Sequence, residues 1–442
     1  MSIGVVMLIS LIIVILTIIS GVPMPFVFFG ASIWVVLVMG LEPKLISQVG
    51  YASVSSYILI SIPLFIIGGV LMSKSRMGIY LINWFDCFLG RIKGSMVIIS
   101  TLAFVVFSAV SGSGLAILAC LCPILFPRMV EKGYPPDVVA SMLCCSAPLG
   151  LLFPPSIAQI MFAWAANISV MACFLAIIIP GILTATGIAI VCIIACRKMA
   201  PDMVISEKVS LPIWRKKTLS MTGKAMPALL MPVIILGGIY SGIMTITESA
   251  AVAAVYAMIV AIFIYRDISP KDVTNVLSEA GVTSGVIMLL LFFVLPFSRL
   301  ILQEGLPKLI LDLLLSISEN KSVILLMINI FMILLGMFMD DDCGVLLVAI
   351  ILTPVARAIG VSPYQFAAIV GINLGFGIIT PPTAPYIYFT ARMTGIPVIN
   401  LFKWSLLIIA LVYLPVLMLT TYVPQLALGI PTLVLGEKFL LF

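Results

Sequence analysis

Apolar and polar positions along this chain fall in long blocks. Apolar stretches occupy residues 3–19, 26–40, 56–73, 96–110, 115–127, 138–152, 157–196, 226–243, 249–265, 283–303, 322–339, 344–356, 364–379 and 398–423. A helix needs roughly 20 apolar residues to cross a bilayer core about 30 Å thick. The pattern therefore predicts an all-α polytopic membrane protein. Stretch 157–196 is long enough for more than one pass, whereas 115–127 and 344–356 are too short for one. Short apolar stretches interrupted by Gly and Pro predict re-entrant helical hairpins or broken helices, which lipid tolerates only where protein or a wet cavity surrounds the freed backbone.

Composition sharpens this reading and removes several chemistries. Of 442 residues 63% are hydrophobic and 9% charged, against about 25% charged in an ordinary soluble domain. There is no His, which excludes histidine zinc sites, histidine haem ligation and the commonest general base. No G-x-x-x-x-G-K-[ST] segment is present to cradle nucleotide phosphates, and no nucleic-acid partner is expected. The nine cysteines lie mostly in apolar runs (Cys120, Cys122, Cys144, Cys145, Cys173, Cys192, Cys196) and read as small buried hydrophobes. Met1 to Ser20 lacks the basic start and the small-residue cleavage site of a signal sequence, so it is expected to be a retained first span.

One linker is clearly polar: Arg197 to Ala225 carries Arg197, Lys198, Lys208, Arg215, Lys216, Lys217 and Lys224 against Asp202 and Glu207. Basic loops stay on the cytoplasmic side, so this linker is placed there. Arg266 and Lys271, two spans later, fall on the same side.

The chain also repeats itself. A shift of 227 residues brings Pro127, Gly133, Pro136, Ala140, Gly150, Pro154 and Pro155 onto Pro354, Gly360, Pro363, Ala367, Gly377, Pro381 and Pro382, with Gly78 on Gly305. These residues have special backbone roles, so their coincidence is not explained by an apolar-rich composition. Lys74, Arg76, Arg91, Lys93, Arg128 and Lys132 in the first copy outnumber Lys308, Lys321 and Arg357 in the second, which favours inverted repeats. The expected division is scaffold spans over 1–55, a first repeat over 56–196 (hairpin near 96–127, broken helix near 138–175), the linker 197–225, and scaffold spans over 226–282. The second repeat then covers 283–423 (hairpin near 322–356, broken helix near 364–394), followed by a tail over 424–442.

Four breaks stand at repeat-related places: the run from Phe107 and Ser108 to Ser111-Gly112-Ser113-Gly114, the run from Gly150 to Pro154-Pro155-Ser156, Gly336 to Met339-Asp340, and Gly377 to Thr380-Pro381-Pro382-Thr383. Each break frees carbonyls at one half-helix end and N–H groups at the next start. Carbonyls and hydroxyls suit a small hard cation, and half-helix N-termini suit an anion. A single Pro-Pro or Ser-Gly more often only kinks a helix. Four at related positions favour a binding site.

At these residues the sequence resembles the large membrane subunit of tripartite ATP-independent periplasmic (TRAP) transporters. The likeness covers nearly the whole chain through Gly21-Val22-Pro23, Ile62-Pro63-Leu64-Phe65, Ser111-Gly112-Ser113, Lys132-Gly133-Tyr134-Pro135-Pro136, Pro154-Pro155-Ser156-Ile157, Thr247-Glu248-Ser249-Ala250-Ala251, Met339-Asp340, Thr380-Pro381-Pro382 and Thr421-Tyr422-Val423-Pro424. The resemblance implies an elevator-type, sodium-driven secondary carrier in the bacterial inner membrane, with no cofactor beyond the coupling ions. It also implies two partners, a small four-span membrane subunit and a periplasmic solute-binding protein that delivers a small organic anion, a carboxylate or sulfonate. The 442 residues leave no spans for the small subunit, which is expected outside this chain.

On that reading Ser111, Gly112, Ser113, Pro154, Pro155 and Ser156 hold one cation, and Gly336, Met339, Asp340, Thr380, Pro381, Pro382 and Thr383 its pseudo-symmetric mate. The anion lies between the hairpin tips, met by Ser108 and by half-helices beginning near Gly114, Ser156, Gly344 and Thr383. Arg299 is a further substrate candidate, although a snorkelling role at the interface competes with it. Glu248, after Thr245 and Thr247, reads first as a helix cap and second as an intramembrane site. The stretch Gly78 to Arg91 and its partner Gly305 to Leu315 read as interfacial amphipathic helices.

Departures from the family pattern are Ser362 where Asp is usual, Ala367 for Gly, an added Pro385, and Asp341 and Asp342 in place of small polar residues. Three adjacent carboxylates repel one another, which leaves proton coupling or an unusual substrate open. A wetted hairpin tip, with successive side chains about 100° apart, is the plainer reading. Two alternatives stand beside the carrier with partners: a stand-alone sodium/dicarboxylate carrier, and an intramembrane aspartyl protease built on Asp340 with Asp86 as the second acid.

Overall fold

A computed structural model describes residues 3–200, 211–269, 271–381 and 383–436. Those residues form helices and connecting turns without a strand. Eight helices among them are long and apolar enough to cross a membrane, and a ninth span results if Pro136–Leu152 and Ile157–Ala165, bent by 41°, count as one.

The 227-residue shift reappears in the helix bounds. In the first copy the order is Ser61–Lys74, Met77–Leu89, Ser95–Ser111, Gly114–Glu131, Pro136–Ser146 with Leu149–Leu152, Ile157–Ala165 and Ile178–Met199. In the second it is Val273–Gln303, Leu306–Ile317, Lys321–Phe338, Asp341–Ala358, Pro363–Gly377, Pro385–Thr394 and Val398–Ile408, which runs on through a π turn into Leu414–Tyr422. Pro135-Pro136 and Ser362-Pro363 open the broken helices in both copies, because proline at a helix start gives up an N–H that has no partner there anyway. Loop bases are stitched at matching places: the Met96 N–H donates to the Tyr134 hydroxyl (3.3 Å) and the Lys321 ammonium to the Gly360 carbonyl (2.7 Å).

The two copies clasp each other. Ile157–Ala165 of the first packs on Asp341–Ala358 of the second, and Pro385–Thr394 of the second on Gly114–Glu131 of the first. Outside this clasp, Val273–Gln303 packs on Met24–Met39, Lys44–Val54 and Ser61–Lys74, and Ile246–Ile259 also lies on Ser61–Lys74. Phe28 with Phe297 and Phe29 with Phe293 (5.6 and 4.6 Å between ring centres) fill the first of these contacts.

Several segments differ from the pattern-based expectation. The short apolar stretches 115–127 and 344–356 are cores of 18-residue helices, Gly114–Glu131 and Asp341–Ala358, extended by polar ends and carrying Pro123, Pro127 and Pro354 inside them. The basic linker is helical from Leu211 onward, since Leu211–Tyr240 begins within it, and its residues 201–210 lie outside the described ones. Trp214 Nε1 donates to the Cys87 carbonyl (2.8 Å) and Trp84 Nε1 to Thr222 Oγ1 (3.0 Å), which tie that helix to Met77–Leu89. Stretch 157–196 splits into Ile157–Ala165, Val170–Ala176 and Ile178–Met199. The expected tail begins with a helix, Gln425–Leu435, whose Ala427 and Pro431 are buried, and which packs against Val170–Ala176 and Ile178–Met199.

Glu248 is a cap: its Oε2 accepts from the Thr245 N–H (2.7 Å) while its own N–H donates to Thr245 Oγ1 (3.2 Å). This reciprocal capping box satisfies two orphan donors at the helix start. All nine cysteines are free and buried.

Candidate functional site

The first hairpin turns at Gly112, whose φ of +63° is a left-handed conformation suited to glycine. A Cβ there would lie 2.8 Å from the Pro155 carbonyl, so the absent side chain lets the tip reach the break in the neighbouring helix. The contact is closed by a hydrogen bond from the Ile157 N–H to the Gly112 carbonyl, 3.3 Å. Ser156 caps Ile157–Ala165 by accepting from the Gln159 N–H at 3.5 Å, and the Pro154–Pro155 peptide is cis. Ser111 is buried and Ser113, extended, opens Gly114–Glu131.

The second hairpin meets its break in another way. Gly336 and Gly377 touch backbone to backbone, a Cβ on Gly377 lying only 2.7 Å from Gly336 Cα. Thr383 donates its hydroxyl to the Met337 carbonyl. Met339 is extended and buried, and Asp340 opens Asp341–Ala358 with Oδ1 accepting from the Asp341 N–H at 3.1 Å. A carboxylate at a helix N-terminus satisfies an orphan donor and the positive end of the helix dipole together. Carboxylate oxygens of Asp340, Asp341 and Asp342 lie within 4.8 Å of one another.

Both tips open on one cavity of about 460 Å³. Ser111, Gly112 and Ser113 reach it from one side and Asp340, Asp341 and Asp342 from the other; Ile157, Ala158, Tyr386 and Phe389 come from the second halves of the broken helices. Leu115, Ala116 and Ala119 of Gly114–Glu131 also line it, and its remaining wall is Ile66 and Val70 of Ser61–Lys74 and Glu279, Val282, Thr283, Val286 and Ile287 of Val273–Gln303. Tyr386, 2% exposed, donates to Asp341 Oδ2 at 3.4 Å. Its hydroxyl would sit 2.9 Å from a Cβ on Gly114, so this tyrosine reaches the other repeat's hairpin as well. Gln159 holds the repeat-related position and donates to the Ala367 carbonyl of the second repeat at 3.2 Å.

The expected cation residues thus gather around the two tips, with Pro382 outside the described residues. Thr380 turns back on its own helix, donating to the Phe376 carbonyl at 2.6 Å. The expected substrate residues are displaced from the cavity. Ser108 is buried and donates to the Phe104 carbonyl (2.7 Å), Gly114 lies against Ala147, Ser156 is a cap, Thr383 bonds to Met337, and Gly344 packs on Leu374 one turn inside a helix that begins at Asp341. Arg299 is exposed and is not among the residues lining the cavity. Asp86 lines a separate cavity with Lys132, its partner at 3.3 Å, so it does not face Asp340.

Glu279, Thr283, Tyr386 and Phe389 line the cavity and were not singled out from sequence. Glu279 is hidden because it lies in the polar start of Val273–Gln303, ahead of the apolar stretch, and forms an ion pair with Lys74 at 2.5 Å. Asp341 and Tyr386 carried a usable signal, since the 227-residue shift puts them opposite Gly114 and Gln159, unlike residues at otherwise matching breaks.

Residues 4–426 match the family described as "Tripartite ATP-independent periplasmic transporter, DctM component". The chain is 35% identical over 378 residues to the C4-dicarboxylate TRAP transporter large permease protein DctM of Pseudomonas aeruginosa, covering 85% of this chain and 86% of that one. It is 31% identical to the sialic acid TRAP transporter large permease protein SiaM of Vibrio cholerae, covering 94% and 96%. With the isethionate TRAP transporter permease protein DctMQ of Oleidesulfovibrio alaskensis the identity is 32% over 92% of this chain and 64% of the relative. Among solved structures the YdaH transporter of Alcanivorax borkumensis shares the fold, with a TM-score of 0.61 at 14% identity over 90% and 89% of the two chains.

Proposed function

This chain belongs to the DctM family of tripartite ATP-independent periplasmic transporters, and from that membership we propose that it is the ion-coupled permease of an importer for a small organic acid. The observation that carries the reading is the cavity of about 460 Å³ where the two hairpin tips meet. Each tip offers a small cation a different shell. At the first, the Gly112 region supplies backbone carbonyls with the Ser111 and Ser113 hydroxyls; at the second, Asp340 adds a charge to the carbonyls near Gly336 and Met339. Sodium is the coupling ion on this reading, because carbonyl, hydroxyl and carboxylate oxygens are hard donors that suit a small hard cation. The protein does not act as an enzyme.

Cargo arrives on a periplasmic binding protein, and a small membrane subunit completes the permease. The hairpins and broken helices that clasp each other form the moving body, and Val273–Gln303 with Met24–Met39, Lys44–Val54 and Ser61–Lys74 the frame it slides against. The basic residues of the linker and of the first repeat's loops, among them Arg197, whose guanidinium donates to the Lys93 carbonyl (2.9 Å), support a cytoplasmic assignment for those loops in the bacterial inner membrane. Reconstitution in liposomes with the small subunit and candidate binding proteins, under an imposed sodium gradient, tests the proposal. Saturable uptake that needs sodium and the binding protein is expected. Equal uptake by the membrane components alone would replace it with the stand-alone carrier.

A further inference from the structure

The cavity's charge is at odds with a cargo that is only an anion. Among the described residues that line it, Asp340, Asp341, Asp342 and Glu279 are acidic and none is Lys or Arg. One charge is offset from outside, by the Lys74 ammonium 2.5 Å from Glu279. Asp340 is engaged as the cap of its helix, with a partner in the Asp341 N–H. That leaves Asp341 and Asp342 on the cavity wall, the former with the Tyr386 hydroxyl at 3.4 Å. Away from the tips most of the wall is apolar, with Ile66, Val70, Val286, Ile287 and the Phe389 ring, and Thr283 adds a hydroxyl. A dianion placed here would meet the Asp341 and Asp342 carboxyl groups at short range, with no Lys or Arg on the described lining to offset them.

Resting on the reading that this cavity carries the cargo, we propose that the cargo bears a cationic nitrogen, an ammonium or quaternary ammonium group, in addition to its acid group. Asp341 and Asp342 face the cationic end. The half of the cavity beneath the first tip, where Ser111, Gly112 and Ser113 contribute hydroxyls and backbone without a formal charge, takes the acid end together with the coupling cation. Tyr386 is the positioning residue: buried, and in contact with Asp341, it holds that carboxylate at the cavity wall. An ammonium or quaternary ammonium group gains from paired carboxylates and from an aromatic face, so the Phe389 side of the cavity suits it.

The test uses the full chain with Ala119→Cys, a small substitution on the cavity wall, the nine native cysteines being buried. Its reaction is timed with two thiol reagents of similar size, trimethylammonium-ethyl and sulfonatoethyl methanethiosulfonate. Each rate is divided by that reagent's rate with a free thiol in solution, and the chain without the added cysteine serves as background. A cation preference of more than about tenfold is expected, as in clefts lined by one sign of charge. Asp341→Asn with Asp342→Asn should bring the ratio close to one, and Tyr386→Phe should lower it partway. Equal normalised rates, or faster reaction of the sulfonate, would overturn the inference while leaving the carrier reading in place. A preference that survives in the double Asn variant would overturn the assignment to these two aspartates. Should that variant not fold, Asp342→Asn alone must still lower the ratio, and an unchanged ratio counts against the proposal. Failure of both reagents to react would show that the wall at Ala119 is not open to charged solutes, and would overturn the inference while leaving the carrier reading in place.

Discussion

The two hairpin tips share a frame and differ in chemistry. Gly114–Glu131 and Asp341–Ala358 begin and end at positions related by the same 227-residue shift, and both tips open on one cavity. The first turns through a left-handed glycine, Gly112, and offers hydroxyls and carbonyls. The second passes through an extended Met339 into three aspartates. A duplicated backbone therefore fixes where ligands are met, and the residues at each break decide what is met there. The second copy is also bound together by buried amides that the first lacks. Asn373 donates to Asn329 (2.9 Å), Asn329 to Thr421 (3.0 Å), and Gln365 to the carbonyls of Thr420 and Thr421 (3.2 and 3.0 Å). In the repeat-related positions of Asn329, Gln365 and Asn373 stand Leu102, Val138 and Ser146. Hydrogen bonds between buried side chains fix relative position more tightly than apolar packing does, so the acidic tip is held by the stiffer surroundings.

The largest effect should come from the contact that has no room to give. Gly377→Val would drive side-chain atoms into the Gly336 backbone, which a Cβ alone already approaches to 2.7 Å. Loss of about 3 kcal/mol or more is expected, read as a collapse in the yield of folded transporter and in its thermal midpoint. Retention of wild-type yield would mean that the second tip is not seated on its break as described.

Charge comes next. A unit charge about 4 Å from a cation at an effective dielectric near 20 contributes about 4 kcal/mol, so Asp340→Asn should raise half-saturating sodium by more than about tenfold in reconstituted uptake. Ser113→Ala removes a neutral ligand from the first tip and should raise it only several-fold, because the backbone carbonyls remain. Matching shifts in the two variants would erase the chemical contrast between the tips.

Thr380→Ala should have the smallest effect of the set. Its hydroxyl is bonded to the Phe376 carbonyl of its own helix, so at most about 1 kcal/mol of stability is lost and the sodium activation curve stays where it was. A sodium shift as large as that of Ser113→Ala would make Thr380 a ligand after all and sharpen the symmetry of the two sites.

The sequence alone determined the membrane class, the repeat and the places where helices break. Those features are local: apolar run length reports what a bilayer requires, and Gly, Pro and Ser-Gly report backbone geometry wherever they stand. It also carried the Glu248 cap, since Thr245 and Glu248 are three residues apart on one helix start. Only the tertiary structure decided which break residues face open space. Ser108, Ser156 and Thr380 differ little from Ser111 and Ser113 in sequence, yet their hydroxyl groups engage nearby backbone, while Ser111 and Ser113 line the cavity. Tyr386 and Glu279 were brought there by the clasp between repeats and by the frame helix, contacts between residues more than 100 positions apart. Which side of a helix meets a cavity depends on how whole helices pack, and no residue's immediate neighbours in the chain encode that.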